Sequence, residues 1–274
     1  AYMCSEGYIS ADIETVRLYA HDTKPTRLLQ WHDEENNGIG VGNTTLSIQK
    51  VNIHNFKNTL IADDNIIAGG AINVHSNNEN NKLEINEVQF KNNTAETSES
   101  TVRAEGGALR NYVKYAQDTY ITNSLFENNT AKNTSNSSNS MGGAMHIGFS
   151  KHVENDKKNN IYSIADSKFK QNSAANGGAV SINTEADIAK TNIVEFKNVE
   201  FTNNTAGVHG GAIYSNTNFN ILADGSGKKT IIQGNTLTDG TQEAIYVNSA
   251  DATLTLGSYN GGNIEIFDII ISNI

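Results

Sequence analysis

Side chains that could do chemistry occur in four short fragments. They are "ADDN" (62–65), "NTEAD" (183–187), "VHGG" (208–211) and "DGSGKK" (224–229). Paired carboxylates such as Asp63 and Asp64 could act as general acid and base on a polysaccharide, if their separation were suitable. Adjacent residues of a strand point to opposite faces, however, and the fragments fall at different phases of a sequence repeat. A solvated turn is therefore the favoured interpretation, and a carbohydrate-active enzyme is the alternative.

The histidines are not spaced as a set of metal ligands. His75 lies four residues after Ala71, whereas His146 lies two after Ala144, so the two are not expected to stack in register. His209 precedes a Gly pair and is interpreted as a turn residue. "WHDEENN" (31–37) is most simply a solvated acidic loop, although it could attract a cation. No zinc-ligand spacing, phosphate-binding Gly loop or nucleophile elbow occurs, so we predict no catalytic residue, cofactor or metal.

Composition limits the partners. The net charge is -10, which argues against nucleic acid, heparin-like polyanions and anionic membranes as main ligands. The one cysteine, Cys4, cannot form an intramolecular disulfide. No run approaches ~18 apolar residues, so we expect no direct membrane insertion. The start, "AYMCSEGYIS", has no basic segment followed by an apolar one. We therefore expect either a cytosolic protein or a trimmed piece of an exported one.

Two short signatures alternate along the chain and must position these residues. Gly-Gly-Ala followed by an apolar residue occurs five times, at 69–72, 106–109, 142–145, 177–180 and 210–213. The second signature, FxxN, occurs four times between them, as "FKNN" from Phe90, "FENN" from Phe126, "FKQN" from Phe169 and "FTNN" from Phe201. The segment "LSIQKVNI" (46–53) is a variant first copy with Ile53 in the Phe place. "IQGNT" (232–236) followed by "EAIY" (243–246) is a degenerate last copy.

The pattern around each signature indicates short strands. In the eight residues that end at each Phe, apolar positions alternate, skip one residue and resume, which is typical of two strands with a bend. Gly-Gly-Ala then begins a third strand, as in "AINVH" (71–75). Three short strands per repeat predict an all-β parallel β-helix, a solenoid with about one turn per 31–37 residues.

The domain organisation follows from the extent of the repeat. We expect one continuous β-helix over residues 46–274. Residues 1–45 carry no repeat and hold the only Trp, Cys and Pro. They are predicted to form an irregular N-terminal cap, or a first irregular turn, that covers an open strand edge.

The signature residues are assigned structural roles in this fold. The aromatic rings should stack on one another in the core, at Phe90, Phe126, Phe169 and Phe201. The amides should adopt left-handed turns and bond to each other between turns, at Asn93, Asn129, Asn172 and Asn204. The glycines should permit backbone approaches that a Cβ would block, at Gly69, Gly70, Gly106, Gly107, Gly142, Gly143, Gly177, Gly178, Gly210 and Gly211.

Variable loops are the expected binding surface. The spacing from Phe to the following Gly is 16 residues after Phe90 and Phe126 but 8 after Phe169. Long loops at one corner cost little, because loop closure rises by only ~0.6 kcal/mol per doubling of length. The two candidate loops are 131–141 and 150–160, and their ligand is unknown.

The paired "GGA[ILV]" and "FxxN" motifs resemble the chlamydial-type polymorphic outer-membrane proteins over residues 46–246, with Met145 as a mild departure. The resemblance implies a right-handed β-helix passenger of a type V autotransporter, held at the outer membrane or released. It also implies adhesion to host cells, with an unidentified protein or glycan receptor as partner, a part in virulence, and scope for self-association. The closing "GGNIEIFD" is similar to the end that caps such passengers.

Three functions remain open at this point. The first is a surface adhesin that binds through its variable loops. The second is a carbohydrate-active enzyme, which requires three or more acidic or basic side chains to converge in one groove. The third is a purely structural spacer in a longer passenger, which the sequence does not separate from the first.

Overall fold

The computed structural model describes residues 16–19, 27–32, 44–59, 65–76, 81–114, 117–150, 161–185 and 193–272. These residues form β-strands and turns, without an α-helix among them. Within this part of the chain, no helix has the length and apolar character needed to cross a membrane. Cys4, Asp63 and Asp64 lie outside the described residues, as does the predicted loop at 150–160 beyond Ser150.

The chain winds through four sheets in a fixed order, and two of them flank the Phe signature. Sheet 1 contains β3 (Thr45–Gln49), β8 (Asn81–Asn86), β13 (Gln117–Thr122), β18 (Ile161–Ala165), β22 (Ile193–Lys197), β26 (Phe219–Asp224) and β30 (Leu254–Tyr259). Sheet 2 carries the Phe residues and contains β1 (Val16–Tyr19), β4 (Val51–His54), β9 (Gln89–Lys91), β14 (Leu125–Glu127), β19 (Lys168–Lys170), β23 (Glu200–Thr202), β27 (Lys229–Gln233) and β31 (Asn263–Ile266).

The other two sheets lie on either side of the Gly-Gly pairs. Sheet 3 contains β5 (Lys57–Asn58), β6 (Ile66–Ala68), β10 (Thr94–Thr97), β11 (Arg103–Glu105), β15 (Thr130–Asn133), β16 (Ser140–Met141), β20 (Ser173–Asn176), β24 (Thr205–His209) and β28 (Thr236–Leu237). Sheet 4 contains β2 (Leu29–His32), β7 (Ile72–Ser76), β12 (Leu109–Val113), β17 (Met145–Phe149), β21 (Val180–Thr184), β25 (Ile213–Ser215), β29 (Ile245–Val247) and β32 (Ile270–Ser272).

Equivalent strands of successive turns pair in parallel, which confirms the predicted all-β solenoid. Phe90 pairs with Phe126, Phe126 with Phe169, and Phe169 with Phe201. The variant copies take their predicted places, because Ile53 pairs with Phe90 and Phe201 with Ile232. Side chains alternate along the strands, so that β8 buries every second residue. This alternation directs one row of each sheet into a continuous apolar core.

One turn is longer than the predicted 31–37 residues. The ladder position is Phe56 in the first turn and Asn in the turns that follow, and its successive separations are 37, 36, 43, 32 and 31 residues in chain order. The 43-residue turn joins Asn129 to Asn172 and contains the segment 151–160. An insertion between two strands lengthens the turn without changing the pairing of Phe126 with Phe169.

Single residues with left-handed backbone angles make the corners. Between sheets 1 and 2 these residues are Lys50, Glu87, Asn123, Asp166 and Asn198, with φ between 49° and 56°. Between sheets 2 and 3 they are Asn55, Asn92, Asn128, Gln171 and Asn203, with φ between 55° and 65°. Asn tolerates this conformation better than most residues, which explains its abundance at these corners.

The expected three strands per turn are wrong, because the turns between β3 and β29 also visit sheet 3. In three of these turns the chain crosses sheet 3 with two strands, β5 and β6, then β10 and β11, then β15 and β16. These pairs form the arms of a fork, and β20 pairs with both β15 and β16 at its base. The strands of sheet 3 bury mainly alanine and offer no large apolar residue at a regular spacing, so periodicity did not reveal them.

Strands also occur within the first 45 residues. β1 pairs with β4 in sheet 2, and β2 pairs with β7 in sheet 4. Leu29 and Trp31 of β2 are buried in the main core. These residues therefore contribute to the solenoid, while the domain boundary at residue 45 stays a prediction.

Candidate functional site

The signature asparagines form a hydrogen-bonded ladder inside the solenoid. Asn129 accepts from the backbone N–H and the Nδ2 of Asn93, at 3.0 Å each, and donates through its own Nδ2 to Phe90 O and Asn172 Oδ1. The same bonds recur at Asn172 and continue through the chain to Asn235. The ladder ends at Asp268, whose carboxylate accepts from Gly234 N, Asn235 N and Asn235 Nδ2. These asparagines have no group left for a ligand.

The sequence predicted that one Asn would both adopt the left-handed turn and form the ladder, but two neighbouring residues divide these roles. Asn129 is fully buried and forms the ladder, whereas the residue before it, Asn128, adopts the left-handed turn. Gln171 takes the turn position of the next copy, which shows that the turn does not require Asn.

The signature phenylalanines stack as a column in the core. The ring centroids of Phe90 and Phe126 are 4.8 Å apart, as are those of Phe126 and Phe169, and those of Phe169 and Phe201 are 4.9 Å apart. All four rings are fully buried and close to parallel. The Phe positions are therefore unavailable to a partner.

The paired glycines have different functions. The first glycine of each pair has a left-handed backbone, with φ of +64° at Gly69. The second lies against the next turn, so that a Cβ on Gly107 would be 2.0 Å from the carbonyl oxygen of Gly143. Both positions are structural, since a side chain would collide with backbone at either one.

The predicted loop 131–141 is mostly ordered structure at the end of the fork. Its strands β15 and β16 cover a second, small apolar cluster made by Ile67, Ala95, Val102, Ala104, Ala131 and Ala174. Asn133 is buried and holds the turn by accepting from Ser135 N and Asn136 N. Only residues 134–138 are exposed at its tip, which we call the fork tip.

Charged and polar side chains converge in a groove on the outer surface of sheet 4, which we call the sheet 4 groove. It has a volume of about 450 Å³. The residues that line it are Ile66, His75, Arg103, Glu105, Arg110, Tyr112, His146, Gly148, Phe149, Asn183, Thr184, Glu185 and Asn216. Four of these side chains are charged, namely Arg103, Glu105, Arg110 and Glu185. The groove therefore has the convergence of acidic and basic side chains that a carbohydrate-active enzyme would require.

A buried ion cluster forms the floor of the sheet 4 groove. The carboxylate of Glu105 is 1% exposed and accepts from Nε of Arg103 at 2.5 Å and from Nε of Arg110 at 2.6 Å. Nε2 of His146 lies 3.5 Å from the same carboxylate. Burial alone would raise the pKa of Glu105, but His146, Arg110 and Arg103 outweigh it and lower this pKa to about 2. Glu105 is therefore ionised at neutral pH.

His146 is held neutral in the same cluster. Burial lowers its pKa to about 4, and Arg110 and Arg103 act in the same direction, while Glu105 opposes them. Nδ1 of His146 lies 2.7 Å from Oγ of Ser181. The order Ser181–His146–Glu105 follows that of a hydrolase triad, but Ser181 is completely buried and two arginines occupy the carboxylate. This arrangement does not present a nucleophile to a substrate.

Aromatic groups line the other half of the sheet 4 groove. The hydroxyl of Tyr112 donates to Oε1 of Glu185 at 2.5 Å, and Cζ of Arg110 lies 4.9 Å from the ring centroid. The His75 ring packs edge-on against Tyr112 at 5.0 Å. Burial and the bond to Glu185 raise the pKa of Tyr112 to about 12. Gly148 leaves room for this ring, because a Cβ there would lie 2.7 Å from Cδ2 of Tyr112.

Residues 62–64 of "ADDN" lie outside the described residues, and the structure separates the other three chemical fragments. Of the described residues in these three, only those of "NTEAD" reach the sheet 4 groove, through Asn183, Thr184 and Glu185. In "VHGG", His209 stacks on Tyr246 at 3.8 Å and contacts Glu243 at 3.2 Å. In "DGSGKK", the lysines form exposed ion pairs, Lys228 with Asp166 and Lys229 with Glu265.

The convergence of His75 and His146 was missed. They are out of register as expected, since His75 pairs with Tyr112 and His146 with Arg110. They nevertheless line one groove, because both are outward-facing residues of sheet 4, on strands β7 and β17 that flank β12. The outward-facing positions of the strands that follow Gly-Gly-Ala carry these histidines, and comparing those positions between turns would have predicted the groove. Among the described residues, no group of three or more His, Cys, Asp or Glu side chains is arranged to hold a metal ion.

Comparison with known proteins gives one match. Residues 198–216 match the model of the Chlamydia polymorphic membrane protein repeat. A search of curated proteins and a search of solved structures gave no significant match. The matched segment spans β23, β24 and the last Gly-Gly-Ala signature, and the register shows that the other turns repeat its geometry. Residues 198–216 are therefore similar to the Chlamydia polymorphic membrane protein repeat, and the other turns share its signatures and its strand register.

Proposed function

We propose that this chain is part of a bacterial cell-surface protein, the passenger of an autotransporter, that attaches to host cells. The match to a membrane-protein repeat supports a location at the cell surface. The solenoid supports a display function, because its Phe column and Asn ladder fix a rigid scaffold and leave binding to the outer surface.

One observation carries the proposal: the fork in sheet 3 ends in an exposed polar tip. Residues 134–138, "TSNSS", are all exposed, while β15 and β16 beneath them are anchored to β20. A polar tip on a fixed base loses little conformational entropy when a partner binds.

The test is binding of the purified protein to cultured host cells. The tip variant carries Thr134→Ala, Ser135→Ala, Ser137→Ala and Ser138→Ala and keeps Asn136, whose side chain bonds the turn. The matched control carries Thr238→Ala and Thr241→Ala, two exposed residues of a later turn. We expect the tip variant to lose binding and the control to retain it. Equal binding by all three proteins would exclude the fork tip, and absence of binding by the wild type would favour the structural spacer.

The alternative function, a carbohydrate-active enzyme, would use the sheet 4 groove. We propose that this groove does not catalyse a reaction. Glycoside hydrolysis needs one carboxyl group whose raised pKa allows it to donate a proton. Glu105 has a lowered pKa and two arginine partners, while Glu185 accepts from Tyr112. We expect no release of reducing ends when the protein is incubated with plant or bacterial polysaccharides. Release that is lost in Glu185→Gln would overturn this proposal.

A further inference from the structure

The two ends of the sheet 4 groove have opposite chemical character. At one end, Arg103 and Arg110 share a single carboxylate, that of Glu105. Arg103 uses only its Nε in this contact and is 40% exposed, so its two terminal nitrogens have no partner in the described part of the chain. Arginine presents such nitrogens as a planar pair that matches a carboxylate. This end of the groove is a donor site for an anion.

An acceptor lies at the opposite end. Glu185 is exposed, and its carboxylate can accept further bonds beside the one from Tyr112. Asn183 lines the same groove, but its Oδ1 is closed to solvent and its Nδ2 donates to Sδ of Met141, so we assign it no bond to a ligand.

Charge and volume restrict the ligand further. The two arginines are balanced by Glu105 and Glu185, and His146 is neutral, so the groove has no excess positive charge with which to hold a polyanion. The protein's net charge of -10 repels polyanions as well. The volume of about 450 Å³ falls within the ~300–1,000 Å³ of small-molecule sites. Tyr112 and His75 add an apolar wall against which a ring can pack.

We propose that the sheet 4 groove binds a saccharide with one carboxylate-bearing pyranose. The carboxylate lies on the terminal nitrogens of Arg103, and a ring hydroxyl donates to Glu185. The inference deepens the proposed host-cell attachment by naming a ligand class, and its test does not depend on cells.

Isothermal titration of the purified protein with three probes tests the proposal. Sialyllactose and methyl galacturonide each carry one carboxylated pyranose, and lactose carries none. We expect at least one carboxylated probe to bind at least about tenfold more tightly than lactose, which corresponds to ~1.4 kcal/mol. The probe that binds more tightly identifies whether the sugar is a sialic or a uronic acid. Equal binding of all three probes, or binding of none, overturns the proposal.

Two variants locate the site, with one matched control. Arg103→Gln removes the anion donor while Glu105 keeps Arg110, and we expect about a tenfold loss of affinity for the carboxylated probe. Glu185→Gln removes the hydroxyl acceptor, and we expect a smaller loss. Lys229→Gln makes the same charge change as Arg103→Gln on sheet 2 and should leave affinity unchanged. Circular dichroism establishes that each variant is folded, and unchanged affinity in both groove variants contradicts the assignment.

The two proposals can fail separately. If the protein binds cells but no saccharide, only this inference is wrong. If it binds the saccharide but not cells, the attachment function is wrong and the saccharide site remains.

Discussion

At the scale of single residues, the Asn ladder uses every polar atom of the side chains in it. Asn129 accepts two bonds and donates two from its side chain, and its backbone N–H donates to Asn172. Burial makes each of these bonds necessary, because an unpaired buried group costs ~1–3 kcal/mol.

Asn129→Ala tests the ladder. We expect a loss of ~2–4 kcal/mol in the free energy of unfolding, because Asn93 N–H and Phe90 C=O lose their partner together. The neighbouring variant Asn128→Gly is the control, since Gly adopts the left-handed angle of 55° without strain. Urea denaturation measures both. A similar small change in the two variants would contradict the ladder's contribution.

Gly107→Ala tests the close approach between turns. An added Cβ would lie 2.0 Å from the carbonyl oxygen of Gly143, and no flexible side chain is there to move aside. We expect this variant to lose the native circular dichroism spectrum or most of its thermal stability. Gly227→Ala, which would meet nothing within 4 Å, should cost only ~1–2 kcal/mol from its left-handed backbone. A stable Gly107→Ala protein would show that neighbouring turns can separate.

The structural roles of the signature residues could be predicted from the sequence for a physical reason. Phe, Asn and Gly each meet their own kind in the next turn, so one requirement recurs and the same residue type returns. The sheet 4 groove has no such recurrence. Arg110 pairs with His146, and His146 with Ser181, so the column changes chemistry at each turn and leaves no periodic signal.

At the scale of elements, the fork shows how a turn changes length without breaking the solenoid. β20 is a single strand, yet it pairs with both arms of the fork, at Thr130 and at Met141. A short strand and a forked pair are therefore interchangeable at this position of a turn. The alanines that line sheet 3 gave no apolar pattern, which is why the sequence predicted an irregular loop here.

Replacing residues 130–141 with "SAAN", the sequence of β20, tests this interchange. We expect a folded solenoid, because the new strand can pair with β10 and β11 as β20 pairs with β15 and β16. The stability loss should be a few kcal/mol at most, since the main apolar side chain removed from the second cluster is Ala131, which the new strand replaces with another alanine. Circular dichroism and urea denaturation measure the outcome, and an unfolded or aggregated protein would contradict it.

The ion cluster at the junction of sheets 3 and 4 predicts a pH dependence. The pKa of His146 falls from 6.5 to about 4 on folding, so between these pH values the unfolded chain binds a proton that the folded chain does not. His146 therefore makes stability fall as pH drops through this window, by roughly 3 kcal/mol in total. Below it, stability falls further as pH approaches the pKa of Glu105, about 2.

His146→Gln should remove the upper part of this dependence. We expect the free energy of unfolding of the variant to fall less than that of the wild type between pH 7 and pH 4, because Gln does not titrate. Urea denaturation at a series of pH values gives the two curves. Parallel curves would show that His146 is not held neutral in the folded protein.

At the scale of the whole molecule, the last turn of the described solenoid differs from the middle turns. The last turn exposes large apolar side chains, with Tyr259 at 53% and Phe267 at 59% exposure, whereas the Phe column of the middle turns is completely buried. In a solenoid each turn contacts only its neighbours, so a turn with fewer buried contacts can open while the others stay closed.

Hydrogen exchange should follow this gradient. We expect the backbone amides of residues 254–272 to exchange faster than those of β12, β17 and β21, which pair on both sides. Mass spectrometry of peptides from the labelled protein measures the difference. Uniform protection along the chain would contradict opening from this end.

The carboxylate at the end of the Asn ladder has a consequence for how such proteins change over generations. An interior Asn side chain both accepts and donates hydrogen bonds, whereas the Asp268 carboxylate only accepts them. A single residue therefore ends the ladder. A duplication or loss of one complete repeat unit leaves every remaining junction with the same partners. The number of repeats can therefore change during evolution, and with it the length of the solenoid, while the residue types at the junctions between turns stay the same.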